Sequence, residues 1–390
     1  MEKIRLSKNN RKQLKLAVCL FGLTLLLINP AIAKSAFDLS TAGIGARPMG
    51  MGSAYVAIAD DASAIAINPA GLGLQKTWGA TSMSTKLMGR VDYQMIGGVL
   101  PTKFGTIGFN YLSATTPAGY LTTTDPNSLT GARQITYGST VMMLSYGRNL
   151  SEVIKTGDGL GNLSVGANFK SISNKFDGFD GSGNGMSLDL GLLFKPNANF
   201  SGGIAVQNIG GSMSWKNGAT ETMPMLTKVG GAYNFNKGTA ALDVEFGPAT
   251  LIHGGLEYRL VNMLSLRAGL DQAQISASET VNNFTTGVGI KVGGVSFDYA
   301  YRQDNGLANN STSYFSISFQ PPVPSEKKVL NKGKVEDKGI TIDQQPEREG
   351  LDGLYNPAKK ASVSAEKTRK TSVEPSKMEA SRSSILNYYQ

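Results

Sequence analysis

Few residues of this 390-residue chain could carry out bond-making chemistry. His253 is the single histidine, so a Ser-His-Asp relay could be built only around it. Its neighbours in strand phase are Glu257 and Arg259, and neither is a nucleophile. A lone histidine among opposite charges reads as part of a polar network. Cys19 is the single cysteine and lies inside the amino-terminal leader, so the exported chain has no disulfide, no thiolate nucleophile and no zinc-cysteine site. The run Phe176-Asp177-Gly178-Phe179-Asp180-Gly181-Ser182-Gly183-Asn184-Gly185 offers oxygen ligands, but its spacing is not that of the twelve-residue calcium loop and no glutamate closes it. Gly43-Ile44-Gly45 followed by Gly50 lacks the βαβ surroundings of a dinucleotide fingerprint. These residues point to no enzyme, no cofactor and no metal.

The elements that must position the polar residues begin with a leader. Lys3, Arg5, Lys8, Arg11, Lys12 and Lys15 precede an apolar run over residues 16–28, and Ala31-Ile32-Ala33 follows as a small-residue cleavage site. The apolar run is shorter than the roughly twenty residues of a spanning helix. Residues 1–33 therefore read as a signal peptide cleaved after Ala33. The net charge of +9 belongs to the ends: residues 34–320 hold nineteen basic against eighteen acidic residues. That balance excludes a nucleic-acid footprint on the folded body. Glycine, at 47 residues, suits long β structure with many tight turns.

From residue 77 onward, apolar and polar residues alternate over runs long enough to cross a bilayer as tilted strands. Phe315, Ile317 and Phe319 share one face against Ser316 and Ser318; Val295, Phe297, Tyr299 and Tyr301 do the same one strand earlier. About fourteen such runs are expected, with cores near 77–88, 90–100, 103–114, 134–149, 161–173, 185–195, 198–209, 224–236, 238–246, 250–260, 262–271, 283–292, 294–303 and 311–320. Short and long connections alternate, except for a long one at 151–160. A soluble sandwich would also alternate. The export signal, the lack of disulfides, the strand number and the turn asymmetry favour an all-β, transmembrane, antiparallel up-and-down barrel with both termini periplasmic.

If the apolar face meets lipid, the other face lines the lumen. In the carboxyl-terminal half it carries Lys228, Asp243, Glu245, His253, Glu257, Arg259, Arg267, Lys291, Asp298 and Arg302. Both signs occur, and an unpaired charge in a narrow lumen is costly, so mutual pairing is expected over ion selectivity.

Residues 34–76 lie between leader and barrel. The stretch 43–72 is crowded with alanine and glycine, has no strict period and contains the acidic pair Asp60-Asp61. Small residues allow close backbone approach, which suits a segment folded inside a barrel. Asp61 is placed to cap a short helix over 62–67, ended by Asn68-Pro69. Arg47-Pro48-Met49-Gly50, Ala59-Asp60-Asp61-Ala62 and Asn68-Pro69-Ala70-Gly71-Leu72 resemble the amino-terminal signature of the PorV/PorQ family of outer-membrane proteins, relatives of the long-chain fatty acid transporter FadL. The strand series extends the likeness to about Gln320. The resemblance implies a fourteen-stranded barrel with this segment as a hatch in its lumen, the hatch turn being Asp60, Asp61, Asn68, Pro69 and Ala70. It implies either passage of hydrophobic molecules or service in a type IX protein secretion system, with exported proteins or secretion components as partners. A structural porin-like barrel is a further reading. A conduit requires an apolar groove near the hatch and a lateral opening in the wall.

Pro321-Pro322-Val323-Pro324 ends the last strand, since proline cannot continue a ladder. Residues 321–390, with thirteen basic and ten acidic residues and no apolar period, read as a disordered basic periplasmic tail, a solvated tether or a contact to the cell wall. The partners expected are outer-membrane lipid and a hydrophobic ligand, with no nucleic acid.

Overall fold

The structure is a computed structural model. It describes residues 4–5, 38–121, 133–152, 154–155, 161–177, 181–276, 279–306 and 310–323. The described residues all belong to the unit Met1–Glu326, and the unit Lys327–Gln390 lies outside them. The expected leader, apart from Ile4–Arg5, the tail beyond residue 323, both termini and residues 178–180 of the glycine-aspartate loop also lie outside.

Fourteen strands close into one antiparallel barrel: β1 Gly79–Leu87, β2 Val91–Thr102, β3 Gly105–Leu121, β4 Arg133–Asn149, β5 Asn162–Asp177, β6 Gly183–Lys195, β7 Phe200–Trp215, β8 Leu226–Phe235, β9 Gly238–Phe246, β10 Thr250–Val261, β11 Leu264–Ser276, β12 Glu279–Val292, β13 Val295–Asp304 and β14 Asn310–Phe319. Each pairs with its sequence neighbour, and β14 returns to β1 through partners from Tyr314↔Thr85 to Phe319↔Ala80. Each of these fourteen strands is paired on both sides, so the barrel itself has no open edge. The three-residue strand Thr220–Thr222 folds back on β7, and Ile4–Arg5 pairs with Ile154–Lys155 as a separate parallel pair. The expected number of strands is the number present. Several run further than the apolar period does: β3 reaches Leu121, β5 Asp177 and β7 Trp215.

The outward face explains what solvates the barrel. Ile96, Phe109, Leu144, Phe169, Leu188, Leu242, Leu256, Phe284, Phe297, Phe315 and Ile317 are exposed side chains on it. A soluble protein does not display an apolar surface that encircles it. Near the rim where β1 begins and β14 ends stand Trp78, Phe104, Phe200, Tyr233 and Tyr258, all exposed, forming the aromatic girdle of a lipid–water boundary. Among the described residues no helix is long and apolar enough to cross a membrane. The strands do the crossing.

Residues 38–78 fill the lumen. The segment contains two short α-helices, α1 Ala46–Gly50 and α2 Ala64–Ile67, and 3-10 turns at Leu39–Thr41 and Pro69–Leu74. It seats on a belt of inward-facing glycines. A Cβ built on Gly147, Gly166, Gly191, Gly203, Gly255 or Gly269 would fall under 3.0 Å from an atom of Gly73, Pro69, Asn68, Val56, Met51 or Gly52 respectively. Many of these glycines are paired across the sheet, as Gly147↔Gly166, Gly166↔Gly191, Gly203↔Gly230 and Gly255↔Gly269. Glycine abundance thus has a second cause beyond turns. At these glycines the hatch rests directly on the backbone of the wall.

The lumen has two unlike halves. On the β1–β5 side, Met83, Tyr93, Met95, Leu112, Val141, Met143 and Ile172 pack against Leu39, Ile44, Met49, Ile65 and Leu72 of the hatch. On the β8–β14 side the buried residues are mostly polar, with Asp243, Glu257, Arg267, Asp271 and Asp298 among them. The hatch has apolar neighbours on one flank and ionic neighbours on the other.

Valine at Gly269 would collide with the hatch backbone, which cannot yield as a side-chain tip does. Gly269→Val should leave a closed, heat-modifiable barrel on gels but expose the hatch to limited proteolysis, whereas Gly231→Ala, with open space around its Cβ position, should behave as the parent. Equal protease resistance of Gly269→Val and parent would contradict the belt as the seat of the hatch.

Candidate functional site

The site is the boundary between hatch and wall. Its turn is built by Asn68, which sits at the end of α2. The Asn68 side chain donates to the carbonyls of Val56 at 2.9 Å and Leu192 at 3.1 Å, and accepts from the Ala70 N–H at 3.2 Å. One buried amide ties two hatch turns to β6. Pro69 and Ala70 are buried beside it, and the Ser164 hydroxyl of β5 donates to the Ala70 carbonyl at 2.6 Å. The Gln207 amide of β7 donates to the Ala66 carbonyl at 2.8 Å. Asp61 does not cap the helix as expected: α2 begins at Ala64, two residues later, with Ser63 at its N-cap and no side-chain cap bond, and the Asp61 carboxylate instead closes a turn by accepting the Ser63 N–H at 2.9 Å and the Ser63 hydroxyl.

Charge then fastens the hatch to the wall in three places. In the first, Arg47 of α1 reaches Asp60 at 2.5 Å, Asp61 at 3.2 Å and Glu257 of β10 at 2.9 Å. Glu257 lies opposite Arg267 of β11 in register and pairs with it at 2.7 Å; Arg267 continues to Asp298 of β13 at 2.7 Å. Opposite charges alternate from hatch to wall without interruption. The Tyr55 hydroxyl lies 2.6 Å from Arg47, from which it accepts, and 2.7 Å from Asp61. Burial, with Asp60 and Asp61 beside it, holds the Tyr55 phenol well above its ordinary pKa, so it remains a donor. The Arg47 guanidinium holds the Asp60 carboxyl below the usual carboxylate range.

The second place is Lys170 of β5, whose side chain is fully buried. It donates to Asp38 at 2.9 Å and to the Asn208 side-chain carbonyl at 2.7 Å, and lies 3.0 Å from Asp189 of β6. Burial would raise the Asp38 carboxyl; Lys170 outweighs it and holds the group below its ordinary value. Asn208 stands in left-handed backbone conformation, where β7 carries extra residues against β6. Its N–H bonds the Asp189 carboxylate at 2.9 Å instead of a strand partner.

The third place is the outer polar layer. Lys228 pairs with Glu245 at 2.8 Å across β8 and β9; His253 bonds Asp271 at 2.9 Å; Arg302 joins Asp271 at 3.1 Å and Asp304 at 2.7 Å. Asp243 accepts the N–H groups of Tyr55 and Val56 at 2.7 and 2.8 Å. A cavity of about 50 Å3 lies between this layer and the hatch.

Of the lumen residues expected from sequence, Lys228, Asp243, Glu245, His253, Glu257, Arg267 and Asp298 are brought into contact with one another or with the hatch, and Arg302 pairs with Asp271 and Asp304. Arg259 and Lys291 stand apart, exposed near the ends of β10 and β12 and in no ion pair among the described residues. Sequence reasoning missed Asp38, Arg47, Tyr55, Lys170 and Asp189. Lys170 and Asp189 lie in lumen phase on β5 and β6, so strand parity could have found them; Asp38, Arg47 and Tyr55 carry no periodic signal. Asp271 sits at the edge of its expected strand and Asp304 beyond it, which hid them. Among the described residues no cluster of His, Cys, Asp and Glu could hold a metal ion.

No protein-family model matches the sequence, and no curated protein does. Solved structures share the fold. The toluene transporter TodX of Pseudomonas putida aligns at TM-score 0.51 and 15% identity, over 73% of this chain and 99% of its own. The toluene transporter TbuX of Ralstonia pickettii aligns at 0.50 and 16%, over 73% and 99%. The monoaromatic hydrocarbon channel CymD aligns at 0.51 and 14%, over 73% and 98%. At these identities the likeness establishes architecture.

Lys170→Met removes the cation between two buried carboxylates, a change that costs about 3–5 kcal/mol where one partner of a buried pair is lost. Thermal unfolding should show that loss, and Asp38→Asn added to it should recover part; an unchanged midpoint would contradict the pairing. Acid should act on the hatch in the same sense. A carboxyl held below its ordinary value of 3.8 stabilises the fold above that pH, and the contribution disappears as pH falls through the lowered value. Hydrogen exchange of hatch amides around Asp38 and Asp60 should therefore accelerate below pH 3.8, while the barrel ladders keep their protection.

Proposed function

We propose that this chain is a FadL-like outer-membrane conduit for hydrophobic small molecules, with a PorV/PorQ-type amino-terminal segment as its hatch. One observation carries the reading. On the lipid-facing wall, Trp78, Ile96, Val99, Leu100, Ile107 and Phe109 line an apolar groove of about 490 Å3, within the usual size range of small-molecule sites. Its floor includes Gly97, Gly98 and Gly108, and immediately behind Gly108 lie Leu72 and Ile65 of the hatch. Apolar surface therefore runs from lipid to hatch through a wall one backbone thick.

The groove supports half of what a conduit requires. The β2–β3 ladder is continuous from Asp92↔Thr115 to Thr102↔Gly105, so the wall is closed at this point and passage needs the hatch and the wall to part. TodX and TbuX are toluene transporters and CymD is a monoaromatic hydrocarbon channel, which supports solutes of the same class here. In this reading residues 1–33 are removed after Ala33, the rim bearing the aromatic girdle faces the periplasm with both termini, and residues 321–390 remain there as a tether. A filled lumen is at odds with a simple porin, which would leave ions a path.

Gly98 points outward into the groove, with its nearest neighbour the Gly79 carbonyl at 3.3 Å, so a larger side chain fills the groove without touching the hatch. In a Gram-negative host lacking such transporters, the full chain should raise uptake of radiolabelled toluene several-fold over vector, and Gly98→Leu should abolish most of the gain while remaining heat-modifiable. Uptake no greater than vector would overturn the conduit. Recovery of exported proteins bound to the purified barrel, in place of uptake, would favour the secretion role.

A further inference from the structure

Two cations stand at one hairpin turn of the wall, and among the described residues neither is in an ion pair. The turn joins β2 to β3 at the rim that bears the aromatic girdle. Thr102 shapes it: its hydroxyl donates to the Gly105 carbonyl at 2.7 Å and accepts the Phe104 N–H at 3.2 Å. The Phe104 carbonyl takes two donors from β4, the Tyr146 hydroxyl and Arg148 Nη1, each at 2.5 Å. That oxygen holds the Arg148 guanidinium against the outside of the turn while engaging only part of its fork of donors. Lys103, exposed in the turn itself, has its Nζ 5.0 Å from the centroid of the Phe104 ring.

The apolar groove begins where this turn ends. Leu100 and Ile107 face each other in register just inside it, Trp78 and Phe109 also line the groove, and its floor is glycine. A hydrocarbon would fill the groove and leave both cations unused. An anionic head group carrying an apolar chain would use both features. Arginine meets phosphate through parallel N–H bonds and lysine meets it as a point charge. Cations at a lipid–water boundary lay their stems on apolar surface and hold their charges at the level of the lipid head groups.

We propose that turn and groove form one site for an anionic glycerophospholipid, whose phosphate lies between Arg148 and Lys103 and one of whose acyl chains runs along the groove over Gly98. The lipid comes from the leaflet beside the aromatic girdle, and only the naming of that leaflet as periplasmic rests on the conduit reading. A lipid chain then covers the outside of the wall, and a departing solute must displace it. Lipid binding is read without transport, and toluene uptake is read without altering the cations, so each can fail alone.

Trp78 stands in the groove and reports on what touches it. With Trp215→Phe in the full chain it is the single tryptophan. In phosphatidylcholine vesicles, a minor fraction of phosphatidylglycerol brominated near its head group should quench Trp78 more than the same fraction of brominated phosphatidylcholine. The preference should be about tenfold, as two cations near an anionic head group allow. Lys103→Gln combined with Arg148→Gln should bring the two lipids to parity, with the barrel still heat-modifiable. Lys86→Gln, in an exposed ion pair at the opposite rim, should keep the full preference. Gly98→Leu should weaken it several-fold, because chain and head group bind together. Undiminished preference in the double variant would overturn the site, and so would undiminished preference in Gly98→Leu, which would reduce it to attraction by the charge of the rim. Loss of the preference on adding glycerol 3-phosphate would also overturn it, assigning the cations to a soluble phosphate. Equal or stronger quenching by brominated stearate would do the same, assigning the groove to a fatty acid.

Discussion

Everything inside this barrel depends on how closely backbone can approach backbone. A fourteen-stranded wall encloses a lumen that side chains alone would fill poorly, and the chain fills it with its own first segment. Glycine in a strand costs about 0.5–1 kcal/mol relative to alanine, and the belt incurs that cost on strand after strand. What offsets it is the burial of residues 38–78 against the wall, with Tyr55, Met49, Met51, Ile65 and Leu72 among the most completely buried side chains of the molecule. The alanine and glycine of the hatch answer the glycine of the wall. A Cβ on Gly71 would strike the Ala59 carbonyl, and one on Gly73 would strike Ser164 and Arg148.

Close approach brings polar backbone into a dry place, and the wall side chains answer that as well. Ser164, Asn168 and Gln207 satisfy hatch carbonyls, and Asp243 satisfies two hatch N–H groups. Irregular backbone inside a membrane is tolerated only where protein supplies its hydrogen bonds. Strands on both sides of the lumen supply them: Ser164 and Asn168 of β5, Gln207 of β7 and Asp243 of β9.

The barrel was legible in the sequence because a membrane strand repeats its information. Phe315, Ile317 and Phe319 reveal a face, and thirteen other strands repeat the lesson in the same period. Strand ends were less legible, since Leu121, Asp177 and Trp215 lie beyond the runs in which apolar and polar residues alternate in the sequence. The hatch carries no period at all. Asn68 could be read because pre-proline geometry is local, but the roles of Arg47 and Asp38 depend on Glu257 and Lys170, more than a hundred residues away. The mid-strand glycines illustrate the limit best. Gly147, Gly166 and Gly191 look like weakened strand positions until the hatch beside them is seen.

The three fastenings differ in exposure, and that difference orders the way the hatch can loosen. Lys170 and Asp38 are almost wholly sealed, with side-chain exposures of 0% and 1%. Arg47 and Asp60 are exposed to 22% and 45%. Water screens and replaces a partly exposed pair at little cost, whereas separating a sealed pair strands two charges in a medium that cannot solvate them. Local opening starts from the weakest-held segment. Of the ion pairs that hold the hatch, Arg47–Asp60 is therefore the one that parts at least cost and Lys170–Asp38 the one that parts at most.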